Sequence, residues 1–278
     1  TTMRMVTGFI PPTSGTITVG GHDVLQDSIA AKRLIGYLPE NAPGYAEMTV
    51  QGSLSFAAEL RGVKSDMRKS AINHAIEMCF LEGVRHQTID TLSKGYKHRT
   101  CLAQSLIHDP EVLILDEPTD GLDPNQKDEV RNLIKRLGKN KVIVFSTHIL
   151  EEVEEVCSRV IIIDRGRIVA NGTPAGLKAR SERAGAVRLI VKGVAAATLN
   201  ERLAQGPGAR QGEISRESGG QAEARVSPEK SAVATLTHSV AELAGRENWA
   251  LEEIHTEEGR LDEVFRTITL PDTVRAAA

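Results

Sequence analysis

Val112-Leu113-Ile114-Leu115, followed at once by Asp116-Glu117-Pro118, constrains this chain of 278 residues more than any other segment. An unbroken apolar run of that length belongs to a strand covered on both faces, the kind found in the parallel sheets of α/β proteins. Ligands of open α/β sheets sit at the carboxyl ends of the strands, which is where this run delivers two adjacent carboxylates. The two acids suit different tasks. Asp116 can hold Mg²⁺, an ion that takes one or two carboxylates and keeps several waters, while Glu117 can orient and deprotonate an attacking water. That division reads as a nucleotide-hydrolysis site. The alternative is structural, because acids before a turn commonly cap the next helix. A second apolar strand, 141–145, leads into Ser146-Thr147-His148 and brings a histidine to the same sheet edge, although a histidine on its own is more often structural.

Two further segments, Leu92-Ser93-Lys94-Gly95-Tyr96 and Gly121-Leu122-Asp123, complete a set with Val112–Glu117 and His148. In order and spacing the set resembles the ATP-binding subunit of an ABC transporter, whose signature, Walker B, D-loop and switch histidine fall at these positions. The resemblance covers roughly residues 1 to 178. The wording Leu-Pro-Glu-Asn at 38–41, Leu-Ser-Lys-Gly-Tyr at 92–96 and Leu-Asp-Pro-Asn-Gln at 122–126 resembles the gliding-motility and ABC-2 exporter branch of that family.

The resemblance implies an α/β, P-loop NTPase-like ABC core over residues 1–178, with a helical signature subdomain at about 41–109, binding ATP and Mg²⁺. Within it Glu117 and His148 are catalytic, Asp116 is a metal ligand and Asp123 belongs to the nucleotide site. Ser93, Lys94 and Gly95 face ATP held by the opposite subunit, on a helix amino end whose free amides and partial positive charge suit phosphate. An isolated Ser-Lys-Gly is otherwise a turn. Glu40 stands where the family's Q-loop has Gln and can approach Mg²⁺ or the attacking water; as an acid in a polar turn it is otherwise simply solvated. The implied partners are a second ATP-binding subunit, in a head-to-tail dimer, and an integral membrane permease. The implied location is the cytoplasm, peripheral on the inner membrane.

A phosphate loop of the form Gly-x-x-x-x-Gly-Lys-Ser/Thr, whose amides cradle phosphates, does not occur in the sequence. Thr1-Thr2-Met3-Arg4-Met5-Val6 resembles the helix that directly follows Gly-Lys-Thr in the family. The expectation is therefore a sequence that begins inside its phosphate loop, with Thr1 or Thr2 near the phosphates and the chain as it stands a weak ATP binder without activity. Either threonine equally suits an ordinary helix N-cap.

Composition excludes several classes. The longest apolar runs are strand-sized, far short of the roughly 20 residues of a membrane-spanning helix. No cationic segment followed by an apolar one opens the chain. Cys79, Cys101 and Cys157 are scattered without metal-type spacing and read as reduced, buried thiols that pack a core. The whole of the net charge of −3 falls in residues 187–278, and aromatics are 3% of the chain. With no basic block interleaved with aromatic rings, nucleic acid is not an expected partner.

Short strands are expected at 16–19, before Gly20-Gly21, and at 34–38, and buried strands of a nucleotide-binding core at 112–115, 142–145 and 160–164, with a strand at 168–170 closed by Asn171-Gly172-Thr173-Pro174. Helices are expected at 49–62, 66–81 and 96–108, turning Met78, Phe80, Leu102, Leu106 and Ile107 toward a core. The tail reads strand 187–191, helix 195–204, strands 209–215 and 222–227, helix 231–245 and strand 249–255. That β-α-β-β-α-β order is the split βαβ arrangement, a small α+β ferredoxin-like domain over 187–270. A helix at 261–265 closes it, resembling the ending of ABC-2 type subunits; the domain is either regulatory or a plain cap.

The function these features imply is ATP hydrolysis powering transport by a membrane permease. One alternative is a soluble ABC-type clamp acting on ribosomes or DNA; such proteins carry two ATP modules or a long coiled-coil insertion, and neither occurs in this sequence. Another is a binding-only regulatory module, against which Glu117 and His148 count.

Overall fold

Apolar runs bounded by turns become strands, and segments with apolar spacings of three and four become helices, in a computed structural model that describes residues 1–41, 44–206, 208–229 and 235–269. The chain divides into two units, Thr1–Glu152 and Val153–Ala278.

The first unit contains, in order, α1 (Thr2–Val6), β1 (Thr18–Val19), β2 (His22–Asp23), α2 (Ser28–Leu34), β3 (Ile35–Leu38), α3 (Val50–Leu60), α4 (Ser65–Met78), α5 (Lys94–Leu106), β4 (Val112–Asp116), α6 (Pro124–Leu137) and β5 (Val142–Ser146). Helix α7 (Leu150–Val156) spans the division. Strands β3, β4 and β5 form a parallel sheet in that order, with Ile35 opposite Val112 and Asp116 opposite Ser146. Central β4 is covered on both faces, as its unbroken apolar run requires: Leu113, Ile114 and Leu115 are fully buried. Ile114 joins Val19, Val24, Ala31 and Ile35 in one cluster, against which Met3 and Val6 of α1 also pack.

Side-chain caps define where the helices begin. Thr49 accepts from the Gly52 amide at 3.0 Å to start α3, and Asp123 starts α6 ahead of Pro124, which favours the first helical position. Helix α5 seats against β3 because Gly36 has no side chain; a Cβ there would stand 2.2 Å from the Ser105 carbonyl oxygen. On α5, Leu102 and Leu106 are buried as expected, together with Ile107 just beyond its end. Arg99 is buried on the same helix. It pairs with Glu129 at 2.7 Å and lies between the rings of Phe80 and Tyr96, at 5.5 and 5.9 Å.

Two expectations need correction in this unit. Helix α4 ends at Met78 rather than 81, because Phe80 adopts the left-handed conformation, φ 56°, that closes a helix. Its ring therefore turns outward to meet Arg99 and is 40% exposed, and Met78 is only half-buried. Strand β5 is not buried. It is the edge of the three-stranded sheet, and Val142 and Val144 are 61% and 47% exposed. The short strand expected at 16–19 is present as β1, which forms the first arm of an antiparallel hairpin with β2.

In the second unit β6 (Val160–Asp164) and β7 (Arg167–Gly172) pair antiparallel as a two-stranded sheet, followed by α8 (Pro174–Lys178). Among the described residues β6 pairs with β7 alone, and Ile161 and Ile163 are about half exposed, so the expectation of a buried core strand at 160–164 is not met. Next come β8 (Val187–Lys192), α9 (Ala196–Ala204), β9 (Ala209–Ser218), β10 (Gln221–Pro228), α10 (Leu236–Arg246), β11 (Ala250–Thr256) and α11 (Leu261–Ile268). The sheet order is β11-β8-β10-β9, antiparallel throughout. Alternate residues Val187, Leu189, Val191, Ala222, Ala224 and Val226 face one side and pack on Leu199, Leu203, Leu236 and Val240 of the two helices. The first residues of the helix expected at 231–245 lie outside the described residues.

Among the described residues no cysteine forms a disulfide; Cys79 and Cys101 are buried, whereas Cys157 is only half-buried. Burial pushes the Cys79 and Cys101 thiols up to about 12, which keeps them protonated and inert. Among the described residues no helix is long and apolar enough to cross a membrane.

Candidate nucleotide-hydrolysis site

Parallel pairing ends β4 at Asp116 and β5 at Ser146, directly opposite one another, so the turns that follow both strands leave from one carboxyl edge. The Ser146 hydroxyl donates to Asp116 Oδ1 in a short bond. The Glu117 amide in turn donates to Ser146, at 3.2 Å to its hydroxyl and 3.3 Å to its carbonyl oxygen. These acceptors fix Glu117 at φ 49°, a left-handed conformation that costs a non-glycine residue on the order of 1–3 kcal/mol and clusters at functional sites. Turned this way, Glu117 Oε2 lies 3.0 Å from His148 Nδ1. The carboxylate is 21% exposed and the imidazole 74%, so the pair runs from the protein toward solvent.

Glu152 ties the two turns together from behind. Its carboxylate is buried and accepts from Thr119 Oγ1 at 2.5 Å and from Thr147 Oγ1 at 3.0 Å, while Thr147 Oγ1 accepts from the Ile149 amide at 3.0 Å. The loop after β4 and the loop after β5 thereby share one buried acid.

The amino end of α5 forms a second cluster. The Ser93 hydroxyl caps the helix, accepting from the Tyr96 amide at 3.4 Å. Lys94 Nζ donates to Asp120 Oδ2 at 2.8 Å, a contact that holds the Asp120 carboxyl below the usual carboxylate range. Gly95 lets the start of α6 come close; a Cβ there would meet Gln126 Oε1 at 2.7 Å and Leu122 Cδ2 at 3.2 Å. Asp123 caps α6, accepting from the Gln126 amide at 2.9 Å.

The structure thus gathers Asp116, Glu117 and His148 into one set, and Ser93, Lys94, Gly95 and Asp123 into another. Glu40 is exposed two residues past β3, and its charge acts with that of Asp116 on the Tyr37 phenol, which burial above all pushes up. Thr1 and Thr2 are exposed at the start of α1, where the Thr1 side chain makes no capping bond. Three supporting residues carry no sequence signal of their own: Ser146 as the clasp between the carboxylates, Asp120 as the partner of Lys94, and Glu152, one acid among four in Glu151–Glu155. Only Ser146 was findable, by aligning the ends of two parallel strands.

Among the described residues no three His, Cys, Asp or Glu side chains converge as a metal cage. Mg²⁺ does not need one, since it binds through one or two carboxylates, substrate phosphates and retained waters. Asp116 fits that role: Ser146 fixes Oδ1, which leaves Oδ2 for a cation.

Residues 1–120 match the ABC transporter family model. The chain is 38% identical over 182 residues to the uncharacterised ABC transporter ATP-binding protein YxlF of Bacillus subtilis, an alignment covering 66% of this chain and 60% of that protein. It is 34% identical over 200 residues to the linearmycin resistance ATP-binding protein LnrL of the same organism, covering 72% and 64%. The chain thus spans less than two thirds of the length of these relatives. Among solved structures it resembles an ATP-binding subunit of an ABC transporter, with a TM-score of 0.59 and 26% identity over 64% of this chain and 74% of that one. Motif order, parallel sheet and these likenesses agree in what the chain is similar to: the ATP-binding domain of ABC transporters, whose family model matches residues 1–120.

Proposed function

We propose that this chain is the ATP-binding and ATP-hydrolysing subunit of an ABC exporter, of the ABC-2 type and close to the gliding-motility branch. The reading rests on the 3.0 Å pairing of Glu117 Oε2 with His148 Nδ1, beside an Asp116 whose geometry Ser146 fixes. Glu117 is the general base that takes a proton from the attacking water. His148 holds that carboxylate in place and offers its other ring nitrogen to the terminal phosphate. Asp116 is the Mg²⁺ ligand, with Glu40 approaching from the end of β3. Bound there, Mg²⁺ supplies charge neutralisation to the phosphates.

Ser93, Lys94 and Gly95 serve ATP held by a second ATP-binding subunit in a head-to-tail dimer, and Thr1 or Thr2 lies near the phosphates of the chain's own nucleotide. The membrane partner is an integral permease, which places the chain on the cytoplasmic face of the membrane. An exposed aromatic pair supports a docking surface beyond the Glu40 turn: Tyr45 and Phe56 meet edge to face at 5.5 Å. The strand order of the second unit, fourth-first-third-second in its β-α-β-β-α-β run, supports a ferredoxin-like accessory domain over 187–270. Glu117→Gln should lower ATP turnover by at least about a hundredfold while ATP binding persists; turnover at the parent rate would assign the base elsewhere.

A further inference from the structure

The second unit holds a cavity of about 600 Å³ that none of the ABC motifs touches. Its floor is the outer face of β9 and β10, opposite the face that packs on α9 and α10, and its wall is α11 with the segment that follows α8. Five guanidinium groups line it, from Arg180, Arg183, Arg210, Arg225 and Arg266, against the carboxylates of Glu182, Glu213 and Glu263.

Most of these charges are already matched. Arg183 pairs with Glu263, which also accepts from the Ser181 hydroxyl at 2.7 Å. Arg225 is bidentate to Glu257 at 2.8 and 3.0 Å and stands opposite Glu213 across the ladder. Arg266 meets Asp262 at 3.2 Å. Arg180 and Arg210 are different: among the described residues neither guanidinium has an ion pair or hydrogen bond, and of the lining carboxylates Glu182 and Glu213 have none either.

Arg210 is also placed deliberately. Ser227 pairs with Gln211 and Pro228 with Ala209, so Arg210 is the extra residue of a β-bulge. Bulges re-aim a side chain, often beside a binding site, and this one puts Arg210 on the cavity side of the sheet.

We propose that this cavity binds a phosphate monoester, gripped by Arg180 and Arg210. Guanidinium forks match phosphate oxygens in pairs, and the volume suits a small organic phosphate rather than a bare ion. A free metabolite and a lipid headgroup present the same group, and two probes separate them. Titration calorimetry of the full chain with glycerol 3-phosphate reads the free ligand, and sedimentation with phosphatidylcholine vesicles with and without phosphatidic acid reads the headgroup.

The expected result is saturable binding of one probe, weakened at least about tenfold for each guanidinium lost in Arg180→Gln/Arg210→Gln. Neither residue braces another side chain, so the thermal midpoint of the double variant should match the parent. Arg180→Lys/Arg210→Lys should retain part of the affinity, since charge survives without the fork. Binding of glycerol 3-phosphate assigns the site to a soluble ligand, and sedimentation that requires phosphatidic acid and both arginines assigns it to a lipid. Absence of binding to both probes, or equal binding by parent and Gln double variant, overturns the proposal.

Discussion

Ser146 faces Asp116 across the β4–β5 ladder, donates its hydroxyl to that carboxylate and accepts the Glu117 amide on its other side. One hydroxyl therefore sets the separation of the two acids. Ser146→Ala should cost about 1 kcal/mol of stability, because the Ser146 carbonyl oxygen still receives the Glu117 amide. The larger effect should be catalytic: with Asp116 free to rotate, the Mg²⁺ dependence of ATP turnover should shift to higher concentration. Parent-like Mg²⁺ titration in the alanine variant would show that the clasp is only structural.

His148 is mostly exposed and contacts the site through a single 3.0 Å bond to Glu117. Its removal should leave the fold intact. His148→Ala should unfold within about 0.5 kcal/mol of the parent, as exposed substitutions do, and yet lower ATP turnover roughly a hundredfold. Denaturant titration and steady-state hydrolysis on the same preparation separate the two effects.

Glu152 should behave in the opposite way. It is buried and receives two threonine hydroxyls, so Glu152→Ala strands both donors and should destabilise the protein by about 3 kcal/mol. Glu152→Gln keeps an acceptor for one hydroxyl and should recover at least half of that loss. Urea midpoints of the two variants, compared with the parent, decide it.

His108 predicts an acid-side weakness. Burial, with help from the nearby Arg61 and Lys141 charges, pulls its imidazole down to about 4, and its Nε2 lies 3.2 Å from the Ile35 carbonyl oxygen. The ring is neutral in the folded protein and titrates near 6.5 when unfolded. Because the folded value is the lower one, the unfolded chain takes up the proton first as pH falls. Stability is complete above about 6.5 and declines between there and about 4, by about 2 kcal/mol once solvent screening of the partly exposed ring is allowed for. His108→Gln should flatten that part of the pH profile in thermal melts.

How far the sequence reaches depends on whether a feature is local. The run Val112–Leu115 predicts the burial found at Leu113, Ile114 and Leu115, because two-sided coverage is written into consecutive residues. The order of strands and helices in the tail is likewise legible from its short apolar runs, and the structure has them in that order. Phe80 is misread because an apolar side chain at helical spacing looks like core until the backbone turns left-handed and Arg99 offers its ring a partner. Val142 and Val144 are misread because β-branched residues in a row give no sign of whether the strand is central or at an edge. In the site, Asp116, Glu117 and His148 were legible as types, whereas the Ser146 clasp and the pairing of Lys94 with Asp120 depend on register and on the approach of two helix starts.

The exposed valines of β5 have a practical meaning for anyone handling this protein. On its outer side, among the described residues, β5 meets no other strand and shows Val142 and Val144 to water. An open, apolar edge is a template on which another chain can add its own backbone. At high concentration such an edge is a place for copies of the chain to pair, and a lysine in place of Val144 should lower that tendency, read as less light scattering than the parent at equal concentration.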